Sequence, residues 1–186
     1  IAAWQPLDPG GVHYGYYSRN PEWHFYGKAQ YPTHTEIMAA RDRILEKHPN
    51  LQVIGAHMGS FSHDVDKVAR RLERYPNFYV ECSARTADLS RQPRHKVRAF
   101  FQKYAHRILY GLDRTLRPDS GASSQEREAF VNNMEMRYRL DYHFYAGTGT
   151  LEYRGKKVQA LTLPPETLNL FYHGNAQRMM ALLRKN

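Results

Sequence analysis

The chain has 186 residues, enough for one ordinary domain, and its 41% hydrophobic and 24% charged residues exclude a disordered chain. No apolar run approaches the length that crosses a bilayer, and Cys82, the one cysteine, excludes an internal disulfide. The formal charge of +9 raises nucleic-acid binding, but the bases are scattered on helix faces and follow no nucleic-acid module, so neither a nucleic-acid nor a membrane partner is expected.

Residues 1–32 carry Trp4, Tyr14, Tyr16, Tyr17, Trp23, Phe25, Tyr26 and Tyr31 with no sustained period, which predicts a long structured loop serving as a lid or binding surface. Thr33-His34-Thr35-Glu36 then forms a capping box, and Ile37, Ala40 and Ile44 at helical spacing predict a helix ending at His48-Pro49. Leu51 to Ala56 follows as a short apolar strand that breaks at Gly59 after presenting His57. Gly55 stands two residues before His57 and so on the same strand face, where it is expected to keep the space beneath the imidazole clear.

The unit repeats. Ser62 is expected to cap a helix carrying Val65, Val68 and Leu72, which stops at Tyr75-Pro76 before a strand from Phe78 to Cys82. A third round runs from Pro93 through Val97, Phe100, Phe101 and Tyr104 to a strand from Arg107 to Asp113, with Gly111 two residues before the carboxylate. Three helix-then-strand units predict an α/β fold with a parallel sheet and helical crossovers. No Gly-rich phosphate fingerprint follows any strand and the polar candidates sit at strand ends, which favours a barrel over a doubly wound sheet.

Beyond Asp113 the pattern predicts a polar loop over 114–124, then a helix from Gln125 to about Leu140 and an irregular aromatic stretch from Tyr138 to Tyr145. A hairpin follows within Leu151 to Leu163, turning at Arg154-Gly155-Lys156. Pro164-Pro165-Glu166 opens a last helix whose Leu168, Phe171, Tyr172, Met179 and Leu182 form a core stripe, and Met134, Met136, Met179 and Met180 are read as packing filler. The whole is read as a single domain, 1–186, made of a loop or lid (1–32), helix-strand repeats (33–113) and a C-terminal helical extension with a hairpin (114–186).

Two strand ends carry chemistry. A histidine after a strand is ordinarily a core group satisfied by a carbonyl, but Asp113 ends a second apolar strand built the same way, and a buried carboxylate needs a hydrogen-bond donor or a cation. Arg114-Thr-Leu-Arg-Pro opens no helix for Asp113 to cap, which favours a functional pair sharing one cavity. Arg85, just past the second strand, suits bidentate contact with a substrate carboxylate or a salt bridge to a neighbouring loop. The face occupied by Glu81 is left open by strand parity, and His24, His34, His48, His63, His95, His106, His143 and His173 read as surface or structural.

Ile54-Gly-Ala-His57-Met-Gly-Ser60, Tyr75-Pro-Asn-Phe-Tyr-Val-Glu-Cys-Ser-Ala-Arg85, Arg107-Ile-Leu-Tyr-Gly-Leu-Asp113, Leu163-Pro-Pro-Glu and Gly174-Asn-Ala together resemble the C-terminal half of a metal-dependent amidohydrolase. The resemblance is to the branch that includes aminocarboxymuconate semialdehyde decarboxylase. It implies the C-terminal part of a (β/α)₈ TIM barrel, with the three strands as the sixth to eighth, and a divalent metal, usually zinc. The implied activity is hydrolysis or non-oxidative decarboxylation of a small molecule, with His57 polarising substrate or moving a proton and Asp113 binding the metal or taking a proton from its water.

Leu112 stands where that family has Thr or Ser, and Arg114 puts a cation beside Asp113 that competes with a metal or binds an anionic substrate. The chain has no His-x-His, so the remaining metal ligands are expected upstream of Ile1 and the piece alone is expected to be inactive. The first half of the barrel would come from the same polypeptide or, alternatively, from a second copy in a homo-oligomer. The competing reading from another class is a non-catalytic degenerate barrel or fragment with a scaffold or binding role.

Overall fold

The computed structural model describes residues 1–113 and 123–183. Helix α1 (His34–Lys47) starts at the capping box, with the Thr33 side chain and the Glu36 carboxylate satisfying each other's backbone amides. Strand β1 (Val53–Gly55) follows, then α2 (Val65–Arg74), β2 (Phe78–Glu81), α3 (Arg94–Lys103) and β3 (Ile108–Leu109). The strands form a parallel sheet in the order β1-β2-β3, with Gly55 opposite Val80 and Glu81 opposite Leu109. The fold is therefore α/β with a parallel sheet and helical crossovers.

Alternation along the strands sorts the two faces. Phe78, Val80 and Ile108 are fully buried in a core that takes in Val65, Val68 and Leu72 of α2 and Val97 and Phe101 of α3. On the other face Ile54 is 43% exposed and its register partner Tyr79 is half-buried. Two buried amides tie the loops that lead into the strands. Asn77 Nδ2 donates to the carbonyls of Leu45, His48 and Leu51, and Asn175 Nδ2 donates to those of Ala105 and Ile108 at 2.7 Å each.

Several expectations are corrected. The cap of α2 is Asp64, whose carboxylate accepts the Asp66 amide, while Ser62 turns its hydroxyl to Asp88. The third strand is much shorter than Arg107 to Asp113, because the Tyr110 amide leaves the ladder to donate to the Phe171 carbonyl. Helix α4 (Ser124–Ala146) opens with a Ser123–Glu126 capping box and runs through the aromatic stretch expected to be irregular. Phe144 and Tyr145 are fully buried, so tertiary packing extends the helix where local pattern offers no period.

The hairpin is present as β4 (Thr150–Tyr153) and β5 (Lys156–Gln159), joined at Arg154 and Gly155, both with positive φ, as a two-residue hairpin turn requires. Helix α5 (Pro165–Asn169), a wide turn at Leu170–Gly174 and α6 (Asn175–Leu183) close the chain. Phe171 is core, but Leu182 is 49% exposed and so leaves the expected core stripe, and Met136 and Met180, 51% and 58% exposed, are surface groups and not packing filler. The loop over 1–32 is pinned by Trp4 Nε1 donating to the Pro32 carbonyl and by His13 against Asp88. No helix among the described residues is long and apolar enough to cross a membrane.

Candidate functional site

The site begins where β1 ends. His57, Met58, Gly59 and Ser60 all take left-handed φ values, 55°, 58°, 58° and 63°. Each non-glycine residue in that region costs about 1–2 kcal/mol, so the turn persists only if its surroundings enforce it. Glu81 Oε1 accepts the His57 amide at 2.5 Å, Arg41 Nη1 donates to the Gly59 carbonyl at 2.5 Å, and His34 Nε2 donates to the Ser60 carbonyl at 3.2 Å. Met58, fully buried, anchors the turn in the core. Burial lowers the pKa of His34 to about 4, so at neutral pH it is an uncharged donor to this turn.

The turn sets the His57 ring between two partners. Nδ1 lies 2.8 Å from the Ser83 carbonyl, which can only accept, so Nδ1 carries the proton. Nε2 then faces Asp113 Oδ2 at 3.7 Å. The structure thus brings the two predicted strand-end groups together, although the Asp113 side chain is 58% exposed and not the buried carboxylate that an apolar strand end implied. Asp113 itself has a φ of 53°. Arg114 lies outside the described residues.

The two glycines act differently from the expectation. A Cβ on Gly55 would meet the Phe78 ring at 2.4 Å, so the space it leaves is filled by a core phenylalanine and is not kept open beneath the imidazole. A Cβ on Gly111 would meet Ser83 Oγ at 2.4 Å and Glu81 Oε2 at 2.8 Å, so this glycine lets the third strand's continuation close over the Glu81 carboxylate. Glu81, whose face strand parity left open, turns its carboxylate to the backbone of both His57 and Ser83.

Beside His57 lies a cavity of about 320 Å³, walled by Trp4, His13, Tyr17, His63, Arg85 and Asp88. Asp113 is not part of its lining, so the expected single shared cavity holds His57 and Arg85 but meets Asp113 only through the imidazole. Arg85 Nη1 donates to the Ala84 carbonyl at 3.0 Å, leaving its guanidinium on the cavity wall.

Sequence reading missed His13 and Asp88. His13 Nε2 lies 3.0 and 3.1 Å from the two Asp88 oxygens, and the Ser62 hydroxyl donates to the same carboxylate at 3.2 Å. Burial alone would raise the pKa of Asp88. The His13 hydrogen bond and charge, Arg85 and Ser62 outweigh it and hold the pKa below the ordinary carboxylate value. No motif marks the pair, because the partners are 75 residues apart and one of them sits in an aperiodic loop. His63 also faces the cavity, its Nε2 buried without a hydrogen-bond partner and its pKa lowered, chiefly by burial.

A catalytic zinc takes about three protein ligands. Among the described residues no group of three or more His, Cys, Asp or Glu side chains is gathered to hold a metal, and the site offers His57 and Asp113. These two donors do not by themselves fit a metal centre.

Residues 8–182 match the family model described as amidohydrolase. A solved structure, described as an uncharacterized TIM-barrel protein Bb4693 from Bordetella bronchiseptica, is similar at 21% identity with a TM-score of 0.41, over 94% of this chain and 43% of that one. The chain thus spans less than half the length of that protein. No curated protein matches.

Proposed function

This chain belongs to the amidohydrolase family, and on that premise we propose that it supplies the proton-handling end of an enzyme that hydrolyses or non-oxidatively decarboxylates a small molecule. The observation that carries the reading is the approach of His57 Nε2 to Asp113 Oδ2 at 3.7 Å above a parallel sheet. Neutral His57, with Nδ1–H held by Ser83, offers a bare Nε2 lone pair to a proton on water or substrate. The imidazolium so formed lies between two carboxylates, Asp113 on Nε2 and Glu81 at 3.8 Å from Nδ1, and Asp113 is placed to take the proton onward. Arg85 on the cavity wall supplies a fixed cation for an anionic substrate group.

The sheet fits the sixth to eighth strands of a TIM barrel in this reading. The family is generally metal-dependent. A divalent metal such as zinc beside Asp113 would need donors beyond Asp113 and His57. The competing reading is a non-catalytic scaffold or binding role, which the metal content and turnover of the protein containing these residues separate from the first.

The test uses the encoded protein that contains these residues, supplied with zinc and offered small carboxylic acids, amides and lactones. Release of carbon dioxide or of acid that falls by about 10²–10⁴ in both His57→Asn and Asp113→Asn, with melting unchanged, supports the proposal. Turnover untouched by Asp113→Asn removes that residue from the chemistry. No bound metal and no turnover leaves the scaffold reading.

A further inference from the structure

Glu81 has one carboxylate and three donors. Oε1 accepts the backbone amide of His57 at 2.5 Å, and Oε2 accepts the backbone amide of Ser83 at 2.6 Å together with the Ser83 hydroxyl. The side chain is 17% exposed, and among the described residues the one basic side chain within 4 Å is His57, which pairs with it as an ion only when protonated. A largely buried carboxylate without a Lys or Arg is costly unless donors surround it, and here the donors come from the two backbone segments that form the His57 site.

These contacts have a geometric consequence. The bond that selects the protonated nitrogen of His57 runs from Nδ1 to the Ser83 carbonyl. One end of it rides on the left-handed turn at residues 57–60, the other on the chain leaving β2, and Glu81 pins both, one with each oxygen. Gly111 closes the arrangement from the third strand, since a side chain there would displace both Ser83 Oγ and the Glu81 carboxylate.

We propose that Glu81 is a positioning residue that fixes neutral His57 as the Nδ1–H tautomer and so leaves Nε2 as the proton acceptor facing Asp113. The direction of the first proton transfer follows: neutral His57 takes a proton at Nε2 before it can give one. Only that catalytic consequence rests on the function proposed above; the tautomer is a property of the resting chain.

The experiment reads the ring nitrogens of His57 by long-range ¹H–¹⁵N correlation in labelled protein, at a pH where the ring is neutral. The expected result is a protonated Nδ1 and a bare Nε2 in the parent chain, and the same in Ser83→Ala, which keeps the carbonyl and both amide bonds to Glu81. Glu81→Gln keeps the size but turns an amide NH₂ against one of the backbone donors, and the single tautomer is lost.

A folded Glu81→Gln that retains only Nδ1–H overturns the proposal, as does Nε2–H in the parent or loss of the tautomer in Ser83→Ala. If Glu81→Gln does not fold, hydrogen exchange in the parent decides: the His57 and Ser83 amides must be protected, and exchange at the rate of exposed loop amides refutes the role. The expected tautomer in a protein without turnover would overturn the enzymatic reading while leaving Glu81's role intact, so the two failures are distinguishable.

Discussion

Gly55→Ala tests whether the start of the site is built by packing. The added Cβ would stand 2.4 Å from Cζ and 2.7 Å from Cε2 of Phe78, and 3.0 Å from the Gly59 Cα. Ordinary contact begins near 3.4 Å, so the ring must retreat by about 1 Å. It has little room to do so. Phe78 is fully buried, the Arg41 guanidinium lies 4.9 Å from its centroid, and Gly59 belongs to the backbone of the left-handed turn. Overpacking a close-packed core costs about 1–3 kcal/mol, and backbone on one side places this case in the upper half, about 2–3 kcal/mol. In urea, with a slope of about 2 kcal/mol/M, the midpoint should fall by about 1 M or slightly more. Gly15→Ala is the control, since its Cβ would meet nothing nearer than Arg19 Nη1 at 3.6 Å and should shift stability by less than about 0.5 kcal/mol. Because the two shortest contacts are to one ring, Gly55→Ala combined with Phe78→Leu should cost less than the two changes separately. A Gly55→Ala protein within about 0.5 kcal/mol of the parent would refute the packing argument and return Gly55 to the role of an open space beneath His57.

Three further outcomes follow from buried groups. His34 stays neutral down to a pKa of about 4 in the folded chain, while the unfolded chain binds its proton near the ordinary value of 6.5. Stability is therefore lost as pH falls through that window, by about 1 kcal/mol between pH 7 and 5 after allowing for solvent access, and His34→Gln should flatten the dependence of the urea midpoint. Cys82 is fully buried and burial pushes its thiol up to about 12, so an aromatic disulfide reagent at pH 8 should label it only at the rate of unfolding; fast labelling of the native chain would contradict this. Asp88→Asn should speed proteolytic cleavage within residues 1–32, because the His13 contact holds that loop. The Asp88 pKa is depressed, so its contribution is present above the ordinary carboxylate value near 3.8 and lost as pH falls through its own lower value; an unchanged cleavage rate at pH 7 would show that His13 is not the latch.

What the sequence determined by itself is the part of the molecule written in local terms. The Thr33–Glu36 capping box, the turn at Arg154-Gly155 and the apolar stripes of α2 and α3 depend on neighbours within a few residues, and they appear where the pattern places them. The helix-then-strand repeat was legible for the same reason, and with it the positions of His57 and Asp113 past strand ends. What only the tertiary structure decided involves partners distant in the chain. The Asp64 cap replaced Ser62 because Ser62 is drawn to Asp88, 26 residues on. The third strand stopped early because Phe171 claims the Tyr110 amide, and α4 continued because Phe144 and Tyr145 have a core to enter. The tautomer of His57, the placement of Glu81 and the His13–Asp88 pair all depend on hydrogen bonds spanning 24 to 75 residues. Side-chain period along a strand says which face a residue shares with its neighbours but not what waits on that face; Phe78 beneath Gly55, where empty space was expected, is set by the register between strands and the volume of a side chain 23 residues away.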